Sequence, residues 1–181
     1  PDTPGASFAV SENSFTETYT TLISTLEANE NITILAEIDH AANAQSVGEE
    51  LRNTRLVLFV NPSLGTPIMQ LNQQAGLDLS QKMLVYQDEA GAVLVSYNGT
   101  EYIAARHGVA EAGSLAQINN ALSNFAIIAT GGTVIQGLIS TIALNEGVVT
   151  VESQNDFATT YNKLRSSIAN NSNSNVAIIA Q

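Results

Sequence analysis

From Phe15 to Leu26 the apolar side chains Phe15, Tyr19, Leu22, Ile23 and Leu26 recur at helical spacing and leave the opposite face polar. The period predicts an amphipathic helix, and Ser14 followed three residues later by Glu17 provides a capping-box start. A short strand over residues 7–11 precedes this helix, and the Asn29 to Asn31 turn ends it. Residues 32–38, Ile-Thr-Ile-Leu-Ala-Glu-Ile, predict a strand, followed by a loop of small residues through Ala44 and a short polar helix over 47–52. Residues 55–60 are apolar on both faces, the mark of a strand inside a sheet, and Asn61-Pro62 stops them.

Residues 65–74 predict a helix with Pro67 in its first turn, where a missing amide costs nothing, and 75–80 return the chain to the sheet. Strands at 83–87 and 92–97 flank Asp88-Glu89-Ala90-Gly91, where Gly91 supplies the positive φ of a hairpin bend. Helices at 100–106 and 115–129 follow, the second with Ile118, Leu122, Phe125 and Ala129 on one stripe and Gly131-Gly132 as its stop. The longest uncharged run is 112–145, and its centre approaches the ~20 residues that cross a bilayer. Thr130, Gly131, Gly132, Thr133, Gln136, Gly137 and Ser140 interrupt it. A buried helix, a glycine break and a second buried segment are therefore expected, and not a membrane span.

The pattern then restarts. Val151-Glu-Ser-Gln-Asn-Asp-Phe157 resembles the stretch from Val10 to Phe15, and the pairs Phe15/Phe157, Tyr19/Tyr161, Leu22/Leu164 and Leu26/Ile168 all lie 142 positions apart. Both helices lead through Asn-rich turns into apolar strands, 32–38 and 176–180. The domain layout expected is thus 7–130, a linker or buried connection over 131–147, and an incomplete second copy, strand-helix-strand, over 148–181. Such a unit cannot cover its own apolar faces. The uncharged strand 176–180 lacks Pro and is the kind that pairs with another edge, so a homo-oligomer through 148–181 is one expectation.

Composition narrows the chemistry. The chain has 181 residues, 17 acidic and 6 basic, for a formal charge of −11. It cannot build the cationic footprint that nucleic acid requires. Without cysteine there is no disulfide, no thiolate metal site and no cysteine nucleophile. The same composition, with a Pro-Asp-Thr-Pro-Gly start, suits a mature exported bacterial protein.

From Ile38 onward the sequence resembles a known family. The carrying blocks are Ile38-Asp39-His40-Ala41-Ala42, Gly48-Glu49-Glu50-Leu51-Arg52-Asn53-Thr54 and Asn61-Pro62-Ser63-Leu64-Gly65-Thr66-Pro67-Ile68-Met69-Gln70. Gly76-Leu77-Asp78-Leu79, Lys82, Val95-Ser96-Tyr97-Asn98 and Ala105-Arg106-His107-Gly108 complete them. In order and spacing, over about 8–129, they are similar to the family catalogued as domain of unknown function 302, with Val60 standing where a glycine is usual. The resemblance implies a compact α+β domain, a two-layer antiparallel sheet packed on helices in the order strand, helix, four strands and a final helix. It also implies that tandem copies occur, and it implies no activity.

The two histidines, His40 and His107, both fall in these blocks. If they converged with Asp39 or Glu49 they would make a two-histidine, one-carboxylate metal site. No His-x-x-x-His spacing supports that, so no metal and no cofactor is expected. The plainer reading has Asp39 capping a loop or pairing with Arg106 while one imidazole bonds a backbone carbonyl. Gly65-Thr66-Pro67 has no Walker or Gly-x-Gly-x-x-Gly context, and no Gly-x-Ser-x-Gly elbow is present. Tyr86, Tyr97 and Tyr102 read as packing residues. The leading expectation is a non-catalytic small-ligand-binding or sensing module with Asp39, His40, Asn61, Thr66, Met69, Arg106 and His107 lining its cleft. The alternative is an enzyme with Asp39/His40 as base and Arg106/His107 as electrostatic partners.

Overall fold

The computed structural model describes residues 4–137 and 141–170. The described residues fall into two units, one up to Glu146 and one from Gly147.

In the first unit, β1 (Ala6–Val10) leads into α1 (Phe15–Glu27), whose first turn is capped by Ser14 Oγ accepting from the Glu17 N–H at 3.3 Å. Then come β2 (Thr33–Asp39), α2 (His40–Ser46), β3 (Thr54–Val60), α3 (Pro62–Leu71), a 3-10 turn (Gln73–Leu77), β4 (Gln81–Gln87) and β5 (Val93–Asn98). Helices α4 (Thr100–His107) and α5 (Leu115–Thr130) and the two-residue β6 (Val134–Ile135) close the unit. The strands form one antiparallel sheet in the order β2-β3-β4-β5-β1-β6. The fold is α+β, as the sequence predicts.

Alternation decides which face is buried. Ala9, Val57, Phe59, Met83, Val85, Val95 and Tyr97 point to one side, where Leu22 and Leu26 of α1 and Ile118, Leu122, Phe125 and Ala129 of α5 cover them. The hairpin between β4 and β5 turns at Gly91, φ 84°, with Asp88 accepting the Ala90 and Ala92 N–H groups at 2.9 Å.

Three local expectations differ from the structure. The helix expected over 47–52 lies earlier, because the Asp39 carboxylate caps α2 through the Ala42 N–H and Gly48, at φ 82°, follows its end. Helix α3 begins at Pro62, not residue 65, because Asn61 Oδ1 accepts from the Ser63 N–H at 3.1 Å and Pro62 suits the first helical position; Pro67 therefore lies inside the helix. The segment after the glycine break supplies a sixth strand, β6, paired with Phe8 and Ala9 of β1. Gly132 runs so close to β1 that a Cβ there would collide with the Val10 carbonyl oxygen.

In the second unit α6 (Phe157–Ala169) forms as expected. No strand forms over 148–156, where Val149 and Val151 are exposed, and the expected strand 176–180 lies outside the described residues. The helix start copies that of α1 bond for bond. Ser11 Oγ meets Thr18 Oγ1 at 2.7 Å and Ser153 Oγ meets Thr160 Oγ1 at 2.6 Å. Each serine also accepts from a backbone N–H two residues on, at 3.1 Å. Phe15 stacks on Tyr19 at 6.4 Å and Phe157 on Tyr161 at 6.0 Å. The burial is opposite, for Phe157, Tyr161 and Leu164 are exposed.

Candidate functional site

The seven residues expected to line one cleft fall at two ends of the sheet. Asp39 pairs across the ladder with Arg55, whereas Thr33, at the other end of β2, pairs with Val60, and Gln81 pairs with Phe59. Six residue steps along β2 are about 20 Å. Asp39 and His40 therefore lie at one end, while Asn61, Asp78 and the groups bonded to Asp78, including His107, lie at the other. The convergence of His40 with His107 is not realised, and neither is a catalytic set joining Asp39/His40 to Arg106/His107. The hairpin-like order of the strands explains this: β2 enters the sheet at one end and leaves at the other. Among the described residues no three of His, Asp and Glu gather as metal ligands.

At the first end, Arg55, not Arg106, holds Asp39, with both Nε and Nη2 2.8 Å from Oδ2. Asp39 Oδ1 accepts from Ala42 N–H, and this bond, with Arg55 behind it, keeps the carboxyl below the usual aspartate range. The guanidinium lies over the Tyr19 ring, 5.2 Å from its centre, and the Tyr19 hydroxyl donates to Glu37 at 2.7 Å. Burial first, then the Glu37 carboxylate, pushes the Tyr19 phenol well above the ordinary tyrosine range. A group whose pKa rises on folding contributes stability in full below its unfolded value, about 10, and loses it as pH climbs toward the folded one. The melting temperature should accordingly fall more steeply between pH 9 and 11 in the wild type than in Tyr19→Phe. Equal slopes would show that this phenol is not part of the alkaline transition. An open groove beside these groups is lined by Phe15, Gln45, Glu49, Glu50, Leu51, Arg52 and Asn53, and Arg52 Nε donates to the Gln87 carbonyl at 3.2 Å.

At the second end, Asp78 Oδ2 accepts from Arg106 Nη1 at 2.8 Å and from His107 Nε2 at 2.6 Å. The His107 side chain is fully buried, and its Nδ1 has no hydrogen-bond partner. Asn72 Nδ2 donates to the His107 carbonyl at 2.9 Å, and Arg106 Nε to the Glu146 carbonyl at 2.9 Å, so the cluster ties α4 to the turn before β4 and to residue 146. Thr66 is exposed on α3, and Met69 is half-buried with its sulfur toward Gly76.

Beside this cluster a cavity of about 100 Å³ opens between α5, α3 and the ends of β3 and β4. Ile32, Phe59, Leu64, Gly65, Leu79, Ile118, Ala121, Leu122 and Phe125 make its apolar wall, and Asn29, Asn61 and Gln81 bring three carboxamides to it. Gln81 is the first residue of β4 and shares the inward side with Met83 and Val85. It is 9% exposed, and its Nε2 has no hydrogen-bond partner. A buried donor left unmade costs about 1–3 kcal/mol.

The sequence model of the family Domain of unknown function DUF302 matches residues 7–125. The chain belongs to this family. A solved structure, that of an uncharacterized conserved DUF302 protein from Bacillus stearothermophilus, superposes with a TM-score of 0.54 at 16% identity, covering 70% of this chain and 96% of that one. It supports the DUF302 fold alone. Two curated relatives are 36% identical over 76 residues, 42% of this chain: the fluoride-specific ion channel FluC 1 of Brucella suis biovar 1 (strain 1330) and FluC 2 of Brucella melitensis biotype 1 (strain ATCC 23456 / CCUG 17765 / NCTC 10094 / 16M). The match covers 30% and 28% of their lengths, so this chain spans less than a third of either.

Within the DUF302 domain, Asp78 and Gln81 are the residues that reading by sequence missed. Asp78 stands in the block Gly76 to Leu79, whose residues carry the family resemblance but imply no role. The signal for Gln81 was its period: counting back by twos from Val85 and Met83 puts a polar side chain on the buried face.

Proposed function

We propose that the DUF302 domain is a non-catalytic module that binds a small molecule in the cavity at the Gln81 end of the sheet. The observation that carries this reading is the buried, unpartnered Nε2 of Gln81 in the lining of a mostly apolar space. Such a group is a defect in a packed core and an asset in a binding site. The lining supports binding over catalysis, because no carboxylate, imidazole, amine, hydroxyl or thiol belongs to it. The Brucella relatives hold a similar stretch in chains described as fluoride-specific ion channels, which favours a sensing role beside a transport function. No described helix is long and apolar enough to cross a membrane.

Amide-resolved NMR tests the reading with benzene as a generic probe of apolar space. Shifts should concentrate at Leu64, Gln81, Ala121 and Phe125, and Ala121→Phe, which fills the cavity from α5, should remove them. If benzene moves no signal in the wild type, or moves them alike in the filled variant, the cavity is not a binding site.

One observation favours a second, compatible role in assembly. Phe157, Tyr161 and Leu164 form an exposed apolar stripe on α6, at the positions where α1 has the half-buried Phe15 and the buried Tyr19 and Leu22. We infer that the exposed stripe of α6 is covered by another molecule. Light scattering should report an oligomer for the whole chain and a monomer after deletion of 148–181; an unchanged mass removes the idea.

A further inference from the structure

We propose that the Gln81 cavity selects a small neutral molecule of about six non-hydrogen atoms that carries one carbonyl oxygen, with Gln81 Nε2 as the donor to that oxygen. This rests on the ligand-binding reading above and adds the ligand's chemical class to it.

Size comes first. At about 100 Å³ the space is somewhat smaller than the ~150 Å³ engineered cavity that admits benzene, and it is far below the usual volume of a cofactor or nucleotide pocket. The occupant is therefore a short aliphatic chain or a single small ring.

Hydrogen bonding then sets the polarity of its head group. Asn61 Oδ1 is already engaged as the cap of α3, accepting from the Ser63 N–H at 3.1 Å. Asn29 Oδ1 is likewise engaged, accepting from the Asn31 N–H at 3.1 Å. Each of these oxygens has one of its two lone pairs occupied, whereas the buried atom of the lining left without any partner is the nitrogen donor of Gln81. The site supplies donors, so the ligand must supply an acceptor.

Charge decides which acceptor. No Lys, Arg or His belongs to the lining, and the chain carries a formal charge of −11. A carboxylate would enter an apolar space against that field with no cation to receive it. A ketone, aldehyde, ester or amide oxygen carries no such cost.

The test compares three probes of equal heavy-atom count, cyclopentanone, benzene and butanoate, titrated into the full chain by calorimetry while the Gln81 side-chain amide signals are followed by NMR. Cyclopentanone should bind at least ten-fold more tightly than benzene and shift the Gln81 amide, with butanoate weakest. Gln81→Leu, which replaces the amide with an apolar group of similar size, should bind benzene undiminished and lose the preference for the ketone. Gln81→Met should behave alike and stands in if the leucine variant is unstable. Equal binding of ketone and benzene by the wild type, or a preference that survives both substitutions, overturns the carbonyl assignment and leaves the binding site standing. Tightest binding of butanoate overturns neutrality. Failure of all three probes in wild type and variants alike overturns the ligand-binding reading as well.

Discussion

Replacing Asp78 by alanine is expected to cost about 3–5 kcal/mol, a large part of the 5–15 kcal/mol that holds a typical domain together. Asp78 Oδ2 receives both the Arg106 guanidinium and the His107 ring nitrogen. Its removal leaves a mostly buried cation without its carboxylate. It also leaves a wholly buried imidazole with neither nitrogen bonded, because His107 Nδ1 is already unpartnered. The cost comes from stranding those partners more than from losing the attraction between them. Asp78→Asn, which keeps a carbonyl oxygen in place, should lose less. Urea unfolding followed by tyrosine fluorescence measures both, and a loss below about 1 kcal/mol for Asp78→Ala would show that the cluster does not anchor α4.

Leu22→Ala and Leu164→Ala make the second large contrast, since the same side chain lies seven residues into each of the similar helices α1 and α6. Leu22 is 0% exposed beneath α5, and its truncation should cost about 2–5 kcal/mol through lost burial and the cavity left behind. Leu164 is 60% exposed within one molecule, and at dilutions where the chain is monomeric its truncation should change stability by no more than about 0.5 kcal/mol. The same denaturation measurement separates them. Comparable losses at both positions would mean that α6 is covered in solution by a partner, which would turn this result into support for the assembly role.

Legibility varied with the range of the interaction involved. Helices α1, α5 and α6 and the hairpin turn at Gly91 are readable because each depends on neighbours a few positions away. Helix α3 starts at Pro62 because the cap on Asn61 takes precedence over the glycine at 65, and α2 lies before 47–52 because the Asp39 carboxylate, for which the sequence allows a capping role or a pairing with Arg106, caps the helix that follows it. Both side chains act within three residues of themselves. The β6 strand carried no pattern of its own, since two residues are too few to show a period and its pairing with β1 is set only after the sheet exists.

The candidate site divides the same way. His107 was singled out from its residue type, yet its partner was not, because Asp78 lies 29 positions away and no local rule links them. Taken alone, the amino-acid order determined the α+β class, the apolar stripes, the acidic charge, the exclusion of thiol chemistry and the likeness to the DUF302 family. Only the tertiary structure decided that His40 and His107 lie at opposite ends of the sheet, that Arg55 and not Arg106 takes Asp39, and that Gln81 faces a cavity. Periodicity assigns a side chain to a face, but how far along a strand two segments meet depends on the register of pairing, and register is fixed by contacts between residues remote in sequence.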